Sequence, residues 1–343
     1  MMELSNNAKE DLLHLACENG QIHLIKTLLK QKVNIDAKNS EGFSPLHVAA
    51  IKGNFEVTIL LLSNGANIEM KDDKWKSTPF LYACQNGRPK IVKLLIEKDA
   101  NTKAESSLGI GAMHFAAQSG NFDVVKILQD KGFDINCTTK SQETPLHYVL
   151  DHHRHPFGKV TSTYDIVKAL IQSGANVEQT GSYYDTPLKH AVMRHDKQII
   201  KLLISHGANL NHGFHFNSTP IHFAASWDRS EEIVKTLVEH GAIIDGPRYI
   251  SRFTALHCNV IRNGSIETAR ALLENGARLE HKNVDGFTAF DYAIKHENAE
   301  FLKLALEFQP TLVYSLKRSI YSCYTLKRKD LKASKMIFYH CHK

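Results

Sequence analysis

"FSPLHVAAIKGNFEVTILLLSNGANIE" (residues 43–69) holds a Ser-Pro pair, two apolar runs at helical spacing and a glycine that closes the second run. Ser44 suits a helix cap, because its hydroxyl accepts a backbone N–H that no helical carbonyl reaches. Pro45 fits the first helical position, where the missing N–H costs nothing. Ala49 and Ala50 keep one face of the first helix thin enough for a neighbour to approach closely. Gly65 sits where a second helix would end in a left-handed residue. A two-helix module of this size is too small to bury its own apolar face.

The pattern recurs along the chain. It returns as "STPFLYACQNGRPKIVKLLIEKDANTK" (77–103), "IGAMHFAAQSGNFDVVKILQDKGFDIN" (110–136) and "DTPLKHAVMRHDKQIIKLLISHGANLN" (185–211). Further copies start at Ser218, Phe253 and Phe287, a longer one spans 143–179, and "DLLHLACENGQIHLIKTLLKQKVNID" (11–36) is a worn opening copy, making nine. The residues at the cap position are Ser44, Thr78, Gly111, Thr144, Thr186, Thr219, Thr254 and Thr288, separated by 34, 33, 33, 42, 33, 35 and 34 residues.

This register and the T-P-L-H letters resemble the ankyrin repeat, whose period is about 33 residues. The resemblance covers about residues 8–309. It implies an all-α repeat solenoid of helix-turn-helix units with projecting β-hairpin loops before each Thr-Pro. Stacked units would share one long core, so the expected organisation is a capping repeat at 1–39, repeats two to nine at 40–309 and a basic tail at 310–343. Asp99 replaces the usual glycine and Gly111–Ala112 replaces Thr-Pro, and each should weaken its unit by roughly 1 kcal/mol without loss of fold.

The long fifth copy contains "DHHRHPFGKVTST". His152, His153 and His155 beside Asp151 offer metal-type donors, but zinc asks for four ligands held rigidly by outer hydrogen bonds. The repeat register instead marks about 151–163 as a loop inserted between the two helices of one unit. Six other histidines, His14, His47, His114, His147, His222 and His257, fall one per unit at the T-P-L-H position. The resemblance implies that they hydrogen-bond backbone and the capping Thr. Cys17 and Cys84 stand at the second position of the Ala-Ala pair, as small core side chains.

No phosphate-binding glycine loop, metalloprotease helix or nucleophile elbow is found in the sequence. No catalytic residue, cofactor or metal site is expected, and the chain reads as a non-enzyme. The net charge of +6 is a property of the tail, since residues 310–343 alone carry +7 and the rest −1. The body therefore gives no electrostatic argument for nucleic acid. Six cysteines with no C-x-x-C pair fit a reducing interior, and the polar start lacks the features of a secretory signal.

The family binds proteins through hairpin tips and first helices, so departures from bland polar tips mark candidate contacts. They are Trp75 in the third repeat, Tyr183 and Tyr184 in the sixth, Phe214 and Phe216 in the seventh, and Arg248 and Tyr249 in the eighth. Aromatic and Arg side chains dominate binding hot spots. Phe43, Phe253 and Phe287, next to the cap, are read instead as hairpin packing. In the tail, Leu312, Leu316 and Ile320 have the spacing of one short amphipathic helix. Lys327, Arg328, Lys329 and Lys332 read as a solvated run, with a nuclear address or an anionic-membrane contact as alternatives. "LVYSLKRSI" (312–320) has a faint likeness to a SOCS-type box, though the Cys before Arg318 is missing. The leading expectation is a monomeric cytoplasmic scaffold for other proteins, with a ubiquitin-ligase adaptor and a toxin-like membrane-acting protein as alternatives.

Overall fold

The computed structural model describes residues 5–151, 163–213, 218–248 and 251–314, with the side chain of Tyr183 excepted. The chain divides into two compact units, Met1–Ser182 and Tyr183–Lys343. The first unit alternates short first helices (Asn6–Glu18, Pro45–Lys52, Pro79–Gln85, Ala112–Ser119, Pro145–Leu150) with second helices (Ile22–Lys30, Phe55–Ser63, Pro89–Glu97, Phe122–Asp130, Thr163–Gln172). The second unit repeats the arrangement with first helices Pro187–Met193, Pro220–Ala225, Ala255–Ile261 and Ala289–Lys295. Its second helices are Lys197–Ser205, Glu231–Glu239, Ile266–Glu274 and Ala299–Phe308. Among the described residues there is no regular strand, only an isolated antiparallel bridge between Glu105 and Gly111. The all-α solenoid expectation is met, and the hairpins are narrow turns rather than ladders.

Within each unit the first helices stack on one another and the second helices stack behind them. The alanine pairs allow this. Ala49, Ala50, Ala116, Ala117 and Ala225 are fully buried, and Ala224 nearly so. Cys17 and Cys84 are fully buried as well, at the sequence position where the alanine would stand. The opening repeat shares its core with the second: Leu13, Cys17, Ile25 and Leu28 pack with Leu46, Ala49, Val57 and Leu61. Each such leucine or isoleucine contributes about 2 kcal/mol by burial. The opening helix differs from its counterparts by starting at Asn6, capped by the Ser5 hydroxyl at 3.3 Å from the Ala8 nitrogen.

The second helices end as the glycines require. Gly65 has φ 84° and Gly207 φ 90°, and a side-chain atom added at either would meet nothing within 4 Å. Glycine is therefore there for its backbone freedom, not for space. Asp99 holds the same left-handed position at φ 60°.

Within each unit three kinds of hydrogen bond recur between neighbouring repeats, though the third and sixth repeats carry Leu81 and Lys189 where the histidine would stand. In the first, an imidazole Nε2 reaches the carbonyl just before the next helix. His14 reaches Phe43 at 2.9 Å, His47 reaches Ser77 at 3.1 Å and His114 reaches Glu143 at 3.0 Å. In the second unit His222 reaches Phe253 and His257 reaches Phe287, both at 3.1 Å. In the second ladder a side-chain oxygen accepts a backbone N–H of the following repeat, as Asp36 does from Asn67 at 2.9 Å and Asn211 from Ile243 at 2.8 Å. In the third, a donor at the inter-helix turn reaches back to the end of the previous first helix. Arg88 Nε donates to the Ile51 carbonyl at 3.0 Å and Asn54 Nδ2 to that of Cys17 at 2.6 Å, while in the second unit Asn259, within its own first helix, donates to the Ala225 carbonyl at 3.1 Å. Each bond adds only about 1 kcal/mol net, yet leaving either partner buried and unpaired would cost more.

The helix Pro145–Leu150 and the helix Thr163–Gln172 bracket the inserted loop, whose histidines lie outside the described residues. Residues 310–314 make a single turn, through the Val313 nitrogen to the Pro310 carbonyl at 3.2 Å and Tyr314 to Thr311 at 3.2 Å. The remainder of the tail, including the 327–332 basic run, lies outside the described residues.

Candidate protein-binding surface

The histidine column is structural in detail. The Ser44, Thr144, Thr219 and Thr254 backbone N–H groups donate to Nδ1 of the histidine three residues on, at 3.1–3.3 Å. An Nδ1 that accepts carries no hydrogen, so Nε2 bears it and donates to the next repeat's carbonyl. The imidazole is thus neutral and fixed in one tautomer. Burial reinforces this, pushing His47 and His222 down to about 4 and lowering His257. The buried thiols are equally inert. Burial raises Cys17 to about 12 and raises Cys84 and Cys258, which keeps them protonated. Among the described residues no group of three or more His, Cys, Asp or Glu is placed to hold a metal ion.

Five of the described hairpin tips are built by one polar residue each. Asn39 Oδ1 accepts from the Glu41 and Phe43 nitrogens, and Asp72 accepts from Lys74, Trp75 and Ser77. Ser106, Thr139 and Asn283 act in the same way in their own turns. Adjacent tips join through the Ser107 nitrogen to the Trp75 carbonyl at 2.7 Å. Trp75 is thereby held at a hydrogen-bonded tip, with 42% of its surface exposed and the Lys74 ammonium 5.0 Å from its ring centroid.

Tyr184 lies in the second unit, in the 3-10 turn Ser182–Tyr184, with φ 62° and 70% of its surface exposed. Tyr183 shares that turn. Its side chain, and the residues Phe214, Phe216 and Tyr249, lie outside the described residues. Phe43 and Phe253 pack as the sequence implies. Phe43 meets Tyr82 edge-on at 5.2 Å, while Phe253 stacks on His257 and meets Tyr292 edge-on, both at 5.6 Å. Phe287 departs from this pattern: it meets Tyr292 at 6.0 Å but remains 51% exposed.

Arg248 occupies the place in the eighth repeat's hairpin where Asn39, Asp72, Ser106, Thr139 and Asn283 act as polar acceptors in theirs. Its side chain cannot accept a hydrogen bond, and the turn closes through the Arg248 nitrogen to the Phe253 carbonyl at 2.9 Å and the Phe253 nitrogen to the Ser251 hydroxyl at 3.4 Å. Its side chain enters a groove of about 680 Å³ along the first helices of the second unit. Met193, Phe223, Trp227 and Ile261 supply the apolar wall, with Arg262 at the edge. Trp227 is 49% exposed. Reading only hairpin tips for exceptions misses this residue. The signal lies in the column eight residues after each cap, where Lys52, Asn86, Ser119, His152, Arg194, Arg262 and His296 stand in the other capped repeats.

Known proteins place this architecture. The sequence matches the description "Ankyrin repeats (3 copies)" over residues 2–72, 80–160 and 159–248, and "Ankyrin repeats (many copies)" over 60–96 and 258–306. The chain belongs to the ankyrin-repeat family. Within that family it is 33% identical over 138 residues to the B-cell lymphoma 3 protein homolog of Mus musculus, covering 39% of this chain and 31% of that protein. It is 26% identical to alpha-latroinsectotoxin-Lt1a of Latrodectus tredecimguttatus, over 98% of this chain and 27% of the toxin. It is 29% identical to the palmitoyltransferase AKR1 of Lachancea kluyveri, over 41% of this chain and 20% of the enzyme. The chain thus spans under a third of each of these relatives. Among the described residues no helix is long and apolar enough to cross a membrane.

Proposed function

We propose that this ankyrin-repeat chain is a non-enzymatic recognition scaffold that binds another protein through its hairpin tips and first helices. One observation carries the reading: the repeated polar residues are consumed by bonds within and between repeats, while the residues that break the repeat are exposed on tips and first helices. Trp75 and Tyr184 stand out on tips, and Trp227 and Arg248 face the first-helix groove. Tyr183, Phe214, Phe216 and Tyr249 belong to the same proposed surface by their sequence positions. Neutral buried histidines and protonated buried thiols support binding without chemistry. The reading is of a monomer in a reducing cytoplasmic setting, in keeping with cysteine spacing that offers no disulfide framework.

Capture of partners from a cell extract tests it, comparing the unaltered chain with a Tyr183→Ala, Tyr184→Ala, Phe216→Ala variant. Partners lost at unchanged thermal stability support the surface. An equal loss of stability makes the rings structural.

A further inference from the structure

We propose that the first-helix groove of the second unit receives an extended acidic segment of the partner protein. One carboxylate of that segment pairs with Arg248, and one large apolar side chain packs against Trp227, Phe223 and Met193. This rests on the scaffold reading and names the chemistry of its occupant.

Charge complementarity selects that occupant. The groove is lined by two arginines and by no carboxylate. Its histidine, His222, is committed to the Phe253 carbonyl and stays neutral. Lys189 beside it, 5.2 Å from the Phe223 ring, is already paired with Asp185. Elsewhere in the unit Arg270 pairs with Glu307 and Arg278 with Asp245, whereas neither Arg248 nor Arg262 has a carboxylate among the described residues. Arg248 Nε is moreover buried with no hydrogen-bond partner. A donor sealed from water and left unpaired costs free energy, and a carboxylate arriving from outside would remove that cost. Cys258 lines the same groove beside Arg248. The apolar half of the groove asks for a matching side chain. Trp227 is a half-exposed ring with a cationic neighbour on either flank of the groove, which is the composition of a binding hot spot.

The sequence points the same way. Arg248 displaces a turn-forming acceptor, and Trp227 breaks a polar column. Neither change serves the repeat, and both face one groove.

The test selects short peptides from a displayed random library on the full-length chain, then titrates a synthetic selected peptide while following fluorescence anisotropy. The expected peptides carry Asp or Glu beside Leu, Phe or Trp. Arg248→Gln should weaken binding about tenfold to a hundredfold, as should Asn or Gln at the peptide's acidic position, and Trp227→Ala about tenfold. Arg262→Gln alters an exposed side chain and keeps the test open if Arg248→Gln fails to fold; it should weaken binding a few-fold and reduce its salt dependence. Selected peptides without acidic excess, or affinities within twofold across these variants, would overturn the proposal. Binding lost with Tyr184→Ala but not with Trp227→Ala would overturn it too, while leaving the scaffold reading in place. Tighter binding of a single-stranded oligonucleotide to the same arginines would overturn both.

Discussion

The Thr78 hydroxyl is buried without a hydrogen-bond partner because the residue three positions on is Leu81. In the eighth repeat the equivalent pair is Thr254 and His257, whose hydroxyl and Nδ1 lie 2.9 Å apart. Both threonines are 1% exposed, so the pair isolates what the imidazole does. Thr254→Val should destabilise by about 1 kcal/mol, whereas Thr78→Val should be neutral or stabilising by a similar amount. Urea midpoints of the two variants decide this. Equal losses would show that the Thr78 hydroxyl finds a partner in solution.

Acid should loosen the fold through the same column. Burial takes His47 and His222 from the ordinary 6.5 to about 4, with their bonds to the Ser77 and Phe253 carbonyls opposing the shift only in part. Between those values the unfolded chain takes up protons and the folded chain does not, so stability falls as pH is lowered and levels off below about 4. The slope is on the order of 1 kcal/mol per pH unit for each histidine. Melting temperatures between about pH 7 and pH 4 should fall accordingly, and a His47→Gln, His222→Gln chain should start lower but fall less steeply. An unchanged slope in that variant would show that other groups dominate.

Asp99→Gly should stabilise the third repeat. Asp99 adopts φ 60° where six other second helices end in glycines such as Gly174 at φ 90°, and the opening repeat has Lys32 at φ 56°. A side chain there costs about 1 kcal/mol by crowding the backbone, offset slightly by the greater freedom glycine has when unfolded. Amide exchange in the helix Pro89–Glu97 should slow in the variant. Faster exchange would mean that the Asp99 carboxylate secures the turn.

The fold was legible because each repeated letter answers a local need: a cap, a first-turn proline, a thin helix face, a left-handed stop. Nine answers in one register leave little else for the chain to be. The bonds between repeats were less legible. Arg88 and Asn54 donate to carbonyls more than thirty residues away, and neither residue type advertises that role in sequence. The candidate surface was visible where an aromatic interrupts a polar tip, as at Trp75 and Tyr184. It was hidden at Trp227, whose exception shows only when one helix column is compared across repeats. Arg248 was singled out as a tip residue, but its passage into a groove depends on the turn closing without its side chain.

The closing repeat offers a sharper test of the histidine column. There the third position is Asp291, whose carboxylate accepts from both the Thr288 nitrogen and the Thr288 hydroxyl at 2.8 Å. Among the described residues no carbonyl of a following hairpin faces it, so an acceptor alone suffices. At the seventh repeat the same residue type would fail: the Phe253 carbonyl lies 3.1 Å from His222 Nε2 and needs a donor. His222→Asp would bring a carboxylate against a carbonyl oxygen in a buried site, losing both the donor and the neutral group, and should cost about 3 kcal/mol or more. Asp291→His should cost no more than about 1 kcal/mol, since the imidazole still serves Thr288 through Nδ1. Thermal unfolding of the two single variants measures the asymmetry. Comparable losses at both positions would mean that the bond between repeats is not what selects histidine.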